Sequence, residues 1–156
     1  MSIPQPQFHL VDVDVTGPCR LSLRFADGHT GQVDLTGIIE RHPSLSRLRH
    51  RDVFATVAAD EWRRGIIFAG DDSLALASDN LRALSLEQAG QYSHQQVIAW
   101  MHRNGLSLAG AATALGLSRR MLAYYRSGRK PVPKTVGLAM LGWEHRQASD
   151  RPAQVA

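Results

Sequence analysis

Alternating apolar and polar residues predict strands in the first part of the chain. Valines alternate with aspartates in residues 8–15, and leucines alternate with polar residues in 19–25, which is the period of a half-buried strand. The apolar positions are Val11, Val13, Val15, Leu21, Leu23 and Phe25. The Asp-Gly pair at 27–28 predicts a hairpin turn, followed by a return strand over residues 31–35.

A short helix is expected next, over residues 37–42, and Pro43 should end it. A polar loop rich in serine and arginine is expected to continue through Arg51. Residues 54–59 and 65–68 are predicted to form a second hairpin, and residues 74–77 a last short strand. The pattern indicates an α+β unit dominated by antiparallel strands.

From Ser85 onward the apolar spacing becomes helical, and four short helices are expected. The first covers residues 94–104, with Val97, Ile98 and Met101 on one face. Glycine at 105 and serines at 107 and 118 have the residue types that end and begin helices, so the second helix should reach Leu115 and the third should end near Gly128. The fourth carries Val136, Met140 and Trp143 at helical spacing.

The charged residues divide the chain into two parts, as the change from strand-like to helical spacing of apolar residues does. Residues 1–91 hold 9 Lys+Arg against 12 Asp+Glu, while residues 92–156 hold 9 against 2. This asymmetry predicts two domains, residues 1–88 and 89–156, with the second facing a polyanion, although a solvated basic surface would give the same charge. The expected fold class is α+β: a small antiparallel-sheet domain with a short helix, then an all-α domain.

Residues 108–125 meet the packing requirements of a helix-turn-helix, in which two helices cross closely at a turn containing glycine. Small residues stand where the helices cross, and Gly116 stands where a left-handed backbone is needed. The small residues are Ala111 and Ala112, and the apolar positions are filled by Leu115, Leu117, Leu122 and Tyr125.

On these residues, the segment 94–146 resembles the Cro and phage-repressor class of helix-turn-helix proteins. Its LGLSRRMLAYYRSGRKP is similar to the turn, recognition helix and basic loop of that class. The resemblance implies a lambda-repressor-like second domain that binds double-stranded DNA through a recognition helix at about 118–127. Three features depart from the class: Leu108, Gly110 and Arg126.

The third helix is expected to be amphipathic. At about 100° per residue, Met121, Leu122 and Tyr125 form one arc. The opposite arc holds Arg119, Arg120, Tyr124 and Arg126, with the small Ala123 between them. Arginines at a helix start oppose the helix dipole, so their placement favours a start that lies against phosphate-rich DNA.

The resemblance assigns roles to nine residues. Arg119, Arg120 and Tyr124 occupy base-reading positions, and an arginine there favours guanine. The DNA-backbone set is Ser107, Ser118, Arg126, Arg129, Lys130 and Lys134. The alternative is that the arginines are only solvated and that Tyr124 packs on a neighbouring helix.

Residues 8–84 resemble a small bacterial domain family of unknown function. The resemblance rests on a Phe-x-Asp-Gly strand end, an Asp-Leu step and a later Phe. These are Phe25, Asp27, Gly28, Asp34, Leu35 and Phe54, and Phe68 stands where the family often has Trp. Such domains occur alone, beside toxin-like partners or fused to helix-turn-helix segments, which implies a regulatory or antitoxin-like role.

No catalytic or metal motif is evident, so no enzyme activity, metal or cofactor is expected. The histidines are scattered, His42 and His50 lie in a basic stretch, and Asp71 with Asp72 is explained by a turn. Cys19 is the single cysteine and has no activating neighbour in the sequence.

The leading hypothesis is a cytoplasmic, sequence-specific transcriptional regulator, a repressor that binds DNA as a homodimer. A single cysteine fits a reducing compartment, and neither a signal peptide nor a membrane span of ~18 apolar residues is evident. The alternative is a protein-interaction module or antitoxin-like adapter that neutralises a toxin-like partner through residues 1–84. A metal-dependent enzyme is a distant third.

Overall fold

Three antiparallel strands form the first sheet of the computed structural model, which describes residues 2–150. The chain divides between Ala89 and Gly90 into two compact units, and this sheet belongs to the first. In sheet order, its strands are β1 (Leu10–Gly17), β2 (Arg20–Phe25) and β3 (Thr30–Asp34). The alternation predicted for β2 is confirmed, because Leu21, Leu23 and Phe25 are each at most 1% exposed.

β1 follows its predicted alternation less closely. Val13 packs against the core, but Val15 is 43% exposed. β1 lies at the edge of its sheet, and its pairing with β2 shifts register between Val15 and Gly17. Val15 still pairs in register with the buried Leu21, so this shift lies beyond it and does not account for its exposure. A second shift, between Leu10 and Asp12, interrupts the alternation at the start of β1, where Leu10 is buried.

The predicted Asp-Gly turn joins β2 to β3. Gly28 has a φ of +94°, a conformation that favours glycine. The N–H of Phe25 donates to the carbonyl of His29 at 2.9 Å and so closes the hairpin.

The segment after β3 is more helical than the sequence pattern suggests. The predicted short helix is present as α1 (Thr36–Arg41). The expected polar loop is instead a 3₁₀ helix, Pro43–Arg49, and Phe54 ends the short helix α2 (Arg51–Phe54) rather than beginning a strand. A 3₁₀ helix has three residues per turn, so Leu45 and Leu48 fall on the same side, and both are buried.

A second three-stranded antiparallel sheet completes the strands of the first unit. In sheet order, its strands are β4 (Ala58–Ala59), β5 (Gly65–Phe68) and β6 (Asp71–Ala77). The predicted second hairpin is therefore present, but its first strand is two residues long. Phe54, expected in that strand, stacks on Phe68 of β5 with ring centroids 5.2 Å apart.

The helix α3 (Ser78–Gln88) corrects the expectation that helical structure begins at Ser85. Its N-cap residue, Ala77, provides no side-chain acceptor, so the usual start signal is missing from the sequence. Leu81 and Ala83 of α3 are 1% exposed, and the Ser78 hydroxyl donates to the carbonyl of Phe8. The described part of the first unit thus holds three α-helices, where the sequence pattern predicted one short helix.

An ion pair fastens the β2–β3 turn to α3. The two Nη atoms of Arg82 reach the two carboxylate oxygens of Asp27 at 2.9 and 2.8 Å, and Arg82 also donates to the carbonyl of Gln7. Burial alone would raise the pKa of Asp27, but the hydrogen bonds from Arg82 and from the His29 N–H hold that pKa below its usual value.

The described part of the second unit is built from four helices. They are α4 (His94–Arg103), α5 (Leu108–Leu115), α6 (Arg119–Arg126) and α7 (Lys134–Asp150). Their core includes Val97, Trp100 and Leu122, and Trp100 meets Trp143 edge to face. Ile98, expected on the buried face of α4, is 46% exposed, because it lies one residue and about 100° from Val97.

Two small antiparallel sheets and seven α-helices among residues 2–150 are consistent with the expected α+β class. The division into units falls one residue beyond the boundary expected from the sequence.

Candidate nucleic-acid interface

α5 and α6 meet across a three-residue turn. Gly116 has a φ of +69°, and the N–H of Leu117 donates to the carbonyl of Ala112 at 2.9 Å. Ala111 and Ala112 are 0% and 3% exposed, so small residues stand where the two helices approach. The backbone of this turn and the burial of the alanines agree with the geometry expected from the sequence.

α6 has a buried side and an exposed side. Leu122 is completely buried, and Tyr125 is 9% exposed. Arg119, Arg120 and Arg126 are exposed. The core therefore holds α6 by its apolar side and presents its three arginines to solvent.

Two serines cap the helices that lead into this surface. The hydroxyl of Ser107 accepts from the N–H of Gly110 at 3.0 Å, and that of Ser118 accepts from the N–H of Met121 at 3.1 Å. Each cap uses an oxygen lone pair and leaves the hydroxyl proton available for donation to an anion. The remaining N–H groups of the first turn add a weak attraction for negative charge.

Tyr124 is the centre of a group of cations that we call the Tyr124 cluster: Tyr124, Arg120, Arg129 and Lys130. The guanidinium carbons of Arg120 and Arg129 lie 5.6 and 5.4 Å from the centroid of the tyrosine ring, and Lys130 Nζ lies 4.9 Å away. These distances are within the range of cation–π attraction. One aromatic ring therefore gathers three positive charges on an exposed surface.

Two polar contacts hold the Tyr124 cluster together. Arg120 Nε donates to the phenolic oxygen of Tyr124 at 2.9 Å, and the backbone N–H of Lys130 donates to the carbonyl of Tyr124 at 3.3 Å. The second bond ties the basic loop to the end of α6. The hydrogen bond from Arg120, followed by the charges of Arg120, Arg129 and Lys130, lowers the pKa of Tyr124 below its usual value.

Arg119, Arg126 and Lys134 are unpaired cations. Each is exposed, and within residues 2–150 the side chain of none forms a hydrogen bond or an ion pair. Their charges are thus available to an external anion.

No carboxylate in the described part of the second unit pairs with a cation of α6 or of the loop after it. Glu144 accepts from Arg103 at 2.9 and 3.1 Å and also from Asn104, which lowers its pKa. Asp150 lies 4.0 Å from Arg146 on the same helix. The positive surface is therefore not neutralised by carboxylates of its own unit.

The structure joins residues that the sequence assigned to different roles. Arg120 and Tyr124, which were predicted to contact bases, lie beside Arg129 and Lys130, which were predicted to contact phosphates. The contact between Arg120 and Tyr124 could have been found from their i,i+4 spacing. The contact between Lys130 of the basic loop and the ring of Tyr124 could not have been found in this way, because it depends on the path of the backbone after Gly128. The ring of Tyr124 has these three cations beside it, whereas the alternative interpretation placed it on a neighbouring helix.

No helix within residues 2–150 has both the length and the apolar character needed to cross a membrane. In the same part of the chain, His, Cys, Asp and Glu side chains do not gather in threes as a metal site would require. Asp71, weighed as a cation ligand, accepts from Arg47 and from Ser73.

The fold and this surface define a two-unit α+β protein whose second unit exposes a cationic helix. The chain matches a crystal structure with a TM-score of 0.79 and 38% sequence identity, over 94% of each chain. That structure is of "Putative DNA Binding Protein NE0471 from Nitrosomonas europaea ATCC 19718". The chain belongs to the same family as this protein. No protein-family model and no curated protein matches the chain.

Proposed function

We propose that this chain is a sequence-specific DNA-binding regulator that places α6 in the major groove of double-stranded DNA. The observation that carries the proposal is the exposed arginine side of α6, which no described carboxylate neutralises. The name of its relative from Nitrosomonas europaea supports it. The α5–α6 pair then acts as a helix-turn-helix of the lambda-repressor type.

Arg119, Arg120 and Tyr124 are the base-reading residues of this proposal. An arginine can hold the O6 and N7 atoms of guanine together, which is worth ~1–3 kcal/mol of discrimination for each good pair. Arg120 is already restrained by Tyr124, so it loses less conformational freedom when it meets a base. We expect guanines at the positions that these two arginines contact.

The remaining cations and the two capping serines contact phosphates and fix the position of α6 on the duplex. This group consists of Ser107, Ser118, Arg126, Arg129, Lys130 and Lys134. Phosphate contacts carry no sequence information directly but supply a large part of the affinity. The proposal involves no catalytic step, metal or cofactor.

We further propose that the protein acts as a homodimer and as a cytoplasmic repressor. A lone module of this size buries little DNA surface, and two copies would place their recognition helices ~34 Å apart on a palindromic site. Leu138 and Leu141 are 50% and 52% exposed on one side of α7 and are the candidate contact between copies. Leu141→Lys should shift sedimentation equilibrium toward the monomer, whereas a purely monomeric wild-type protein would contradict this part of the proposal.

The proposal is tested by selecting genomic DNA fragments with the purified protein and comparing variants on the selected site. Arg119→Ala with Arg120→Ala should reduce the preference for that site over unrelated DNA by about tenfold or more. Arg146→Ala, on α7, is the matched control and should retain the preference. A double variant that binds the selected site as the wild type does would refute the assignment of α6.

A second candidate function is favoured by one observation in the first unit. Trp62 is 76% exposed in the turn between β4 and β5, and tryptophan is enriched at protein interfaces. We propose contact with a partner protein there, as an antitoxin-like adapter would need. Co-purification of a stoichiometric partner that is lost in Trp62→Ala would support it, and a partner retained by that variant would contradict it. The two functions are compatible in one chain.

A further inference from the structure

The first unit contains a cavity of about 690 Å³ that the proposed DNA contact does not use. It lies between the turn that joins β1 to β2 and the segment that joins the 3₁₀ helix Pro43–Arg49 to α2. Its volume is in the range of cavities that hold small molecules. We call it the Arg49–Arg51 cavity after its two charged side chains.

The lining of this cavity is mainly apolar. Leu48 and Phe54 belong to the core and are 1% and 4% exposed, while Val15, at the rim, is 43% exposed. Phe54 is held from behind by its stacking on Phe68. Leu48 and Phe54 therefore provide a packed apolar surface that is suited to an apolar ligand body.

Among residues 2–150, the only charged side chains that line the cavity are those of Arg49 and Arg51. Both are exposed, and within residues 2–150 neither side chain forms a hydrogen bond or an ion pair. This is unusual for the first unit, where six of the nine arginines do have such partners. Those six are Arg20, Arg24, Arg47, Arg63, Arg64 and Arg82.

The positive charge of the cavity also contrasts with the acidic balance of its surroundings. Residues 1–91 hold 12 acidic and 9 basic side chains, yet no carboxylate of the described chain lines the cavity. An anion is therefore attracted by two guanidinium groups and meets no carboxylate there.

We infer that the Arg49–Arg51 cavity binds a small amphipathic carboxylate, with the acid group on the two arginines and the apolar body against Leu48 and Phe54. A guanidinium group matches a carboxylate with two parallel hydrogen bonds. An apolar body gains from contact with the lining, and a neutral or zwitterionic polar ligand does not.

Cys19 gives the means to test this inference. It is the only cysteine of the chain, it lines the cavity and it is partly buried. A bound ligand should therefore shield its thiol. The reagent should be N-ethylmaleimide, because it is uncharged and its approach does not depend on the arginines.

The experiment measures the rate of Cys19 labelling with octanoate or phenylpropanoate present, each compared with its neutral primary amide. At least one carboxylate should slow labelling several-fold in a saturable way, and its amide should have little effect. Arg49→Gln with Arg51→Gln should remove the protection, while Arg41→Gln should keep it, because Arg41 is outside the lining and its side chain has no hydrogen bond or ion pair within residues 2–150. Protection is expressed as a ratio within each variant, so a changed basal rate does not affect the comparison.

Three results would overturn the inference: no protection by either carboxylate up to its solubility limit, equal protection by acid and amide, or full protection in the double variant. Far-ultraviolet circular dichroism and the thermal midpoint establish that the double variant is folded. No DNA is present in this experiment, so its failure leaves the proposed DNA binding untouched.

Discussion

Arg120 Nε donates a hydrogen bond to the phenolic oxygen of Tyr124, one helical turn further along α6, at 2.9 Å. The bond uses one of the five donors of the guanidinium group. No described residue accepts from the other four. The arginine is thus restrained before any ligand arrives but keeps the donors that a base edge or a phosphate would use, which is the arrangement expected of a preorganised contact.

The first prediction concerns the titration of Tyr124. A phenol becomes an anion when it loses its proton, so the neighbouring cations favour the ionised form and lower the pKa of Tyr124. In Arg120→Gln the pKa should rise toward its ordinary value. The phenolate absorbance measured against pH, with Tyr124→Phe subtracted to remove the other tyrosines, reports this change.

The lowered pKa of Tyr124 also determines at which pH these cations stabilise the folded chain. The pKa of Tyr124 is lower in the folded chain than in the unfolded chain. The interaction of the Tyr124 phenolate with the neighbouring cations therefore stabilises the folded chain above the ordinary pKa of tyrosine, about 10. It is lost as the pH falls through the lowered value. An unchanged Tyr124 titration in Arg120→Gln would show that the hydrogen bond does not persist in solution.

The second prediction separates the two roles of Ser118. Ser118→Ala removes the cap of α6 and should lower the free energy of unfolding by about 1 kcal/mol. Ser118→Asp keeps a good cap and adds a charge that suits a helix N-terminus, so stability should be retained. The carboxylate would nevertheless oppose phosphates, and DNA affinity should fall about tenfold or more.

Chemical unfolding and DNA titration of both Ser118 variants check this prediction. If the aspartate variant bound DNA as tightly as the wild type, Ser118 would lie away from the duplex.

Much of the second unit could be predicted because its constraints are local. Serine caps, Gly116 and residues at helical spacing fix the start, end and buried face of α5 and α6 within a few positions. The first unit was harder, because the N-cap residue of α3, Ala77, provides no side-chain acceptor, and because only Leu45 and Leu48 mark the buried side of a 3₁₀ helix otherwise made of proline, serines and arginines.

The exposed side of α6 was predictable from the sequence, but the arrangement of the cations on it was not. The sequence identifies the exposed side of α6 from its period. It does not reveal that Lys130 returns to Tyr124, since that contact depends on the course of a loop. The Arg49–Arg51 cavity could not be predicted from the sequence either, because its lining comes from a turn and from a helix junction about thirty residues apart in sequence.

The third prediction concerns salt. Each phosphate contact displaces counterions, so the slope of log affinity against log salt should decrease in magnitude by about 0.9 for each contact removed. Lys130→Ala and Arg129→Ala should each show this loss, and their effect should be similar on specific and unrelated DNA. Arg146→Ala should keep the wild-type slope. Unchanged slopes in both loop variants would place the loop away from the phosphate backbone.

The fourth prediction compares three glycines of the second unit by unfolding free energy. A Cβ on Gly137 would overlap the ring of Tyr92, so Gly137→Ala should destabilise by about 2 kcal/mol or more. Gly116→Ala meets no atom within 4 Å but must keep a φ of +69°, which costs about 1–2 kcal/mol. Gly142→Ala, in open space on α7, should stabilise by up to about 1 kcal/mol. Equal changes in unfolding free energy for Gly137→Ala and Gly142→Ala would mean that Tyr92 does not pack on α7.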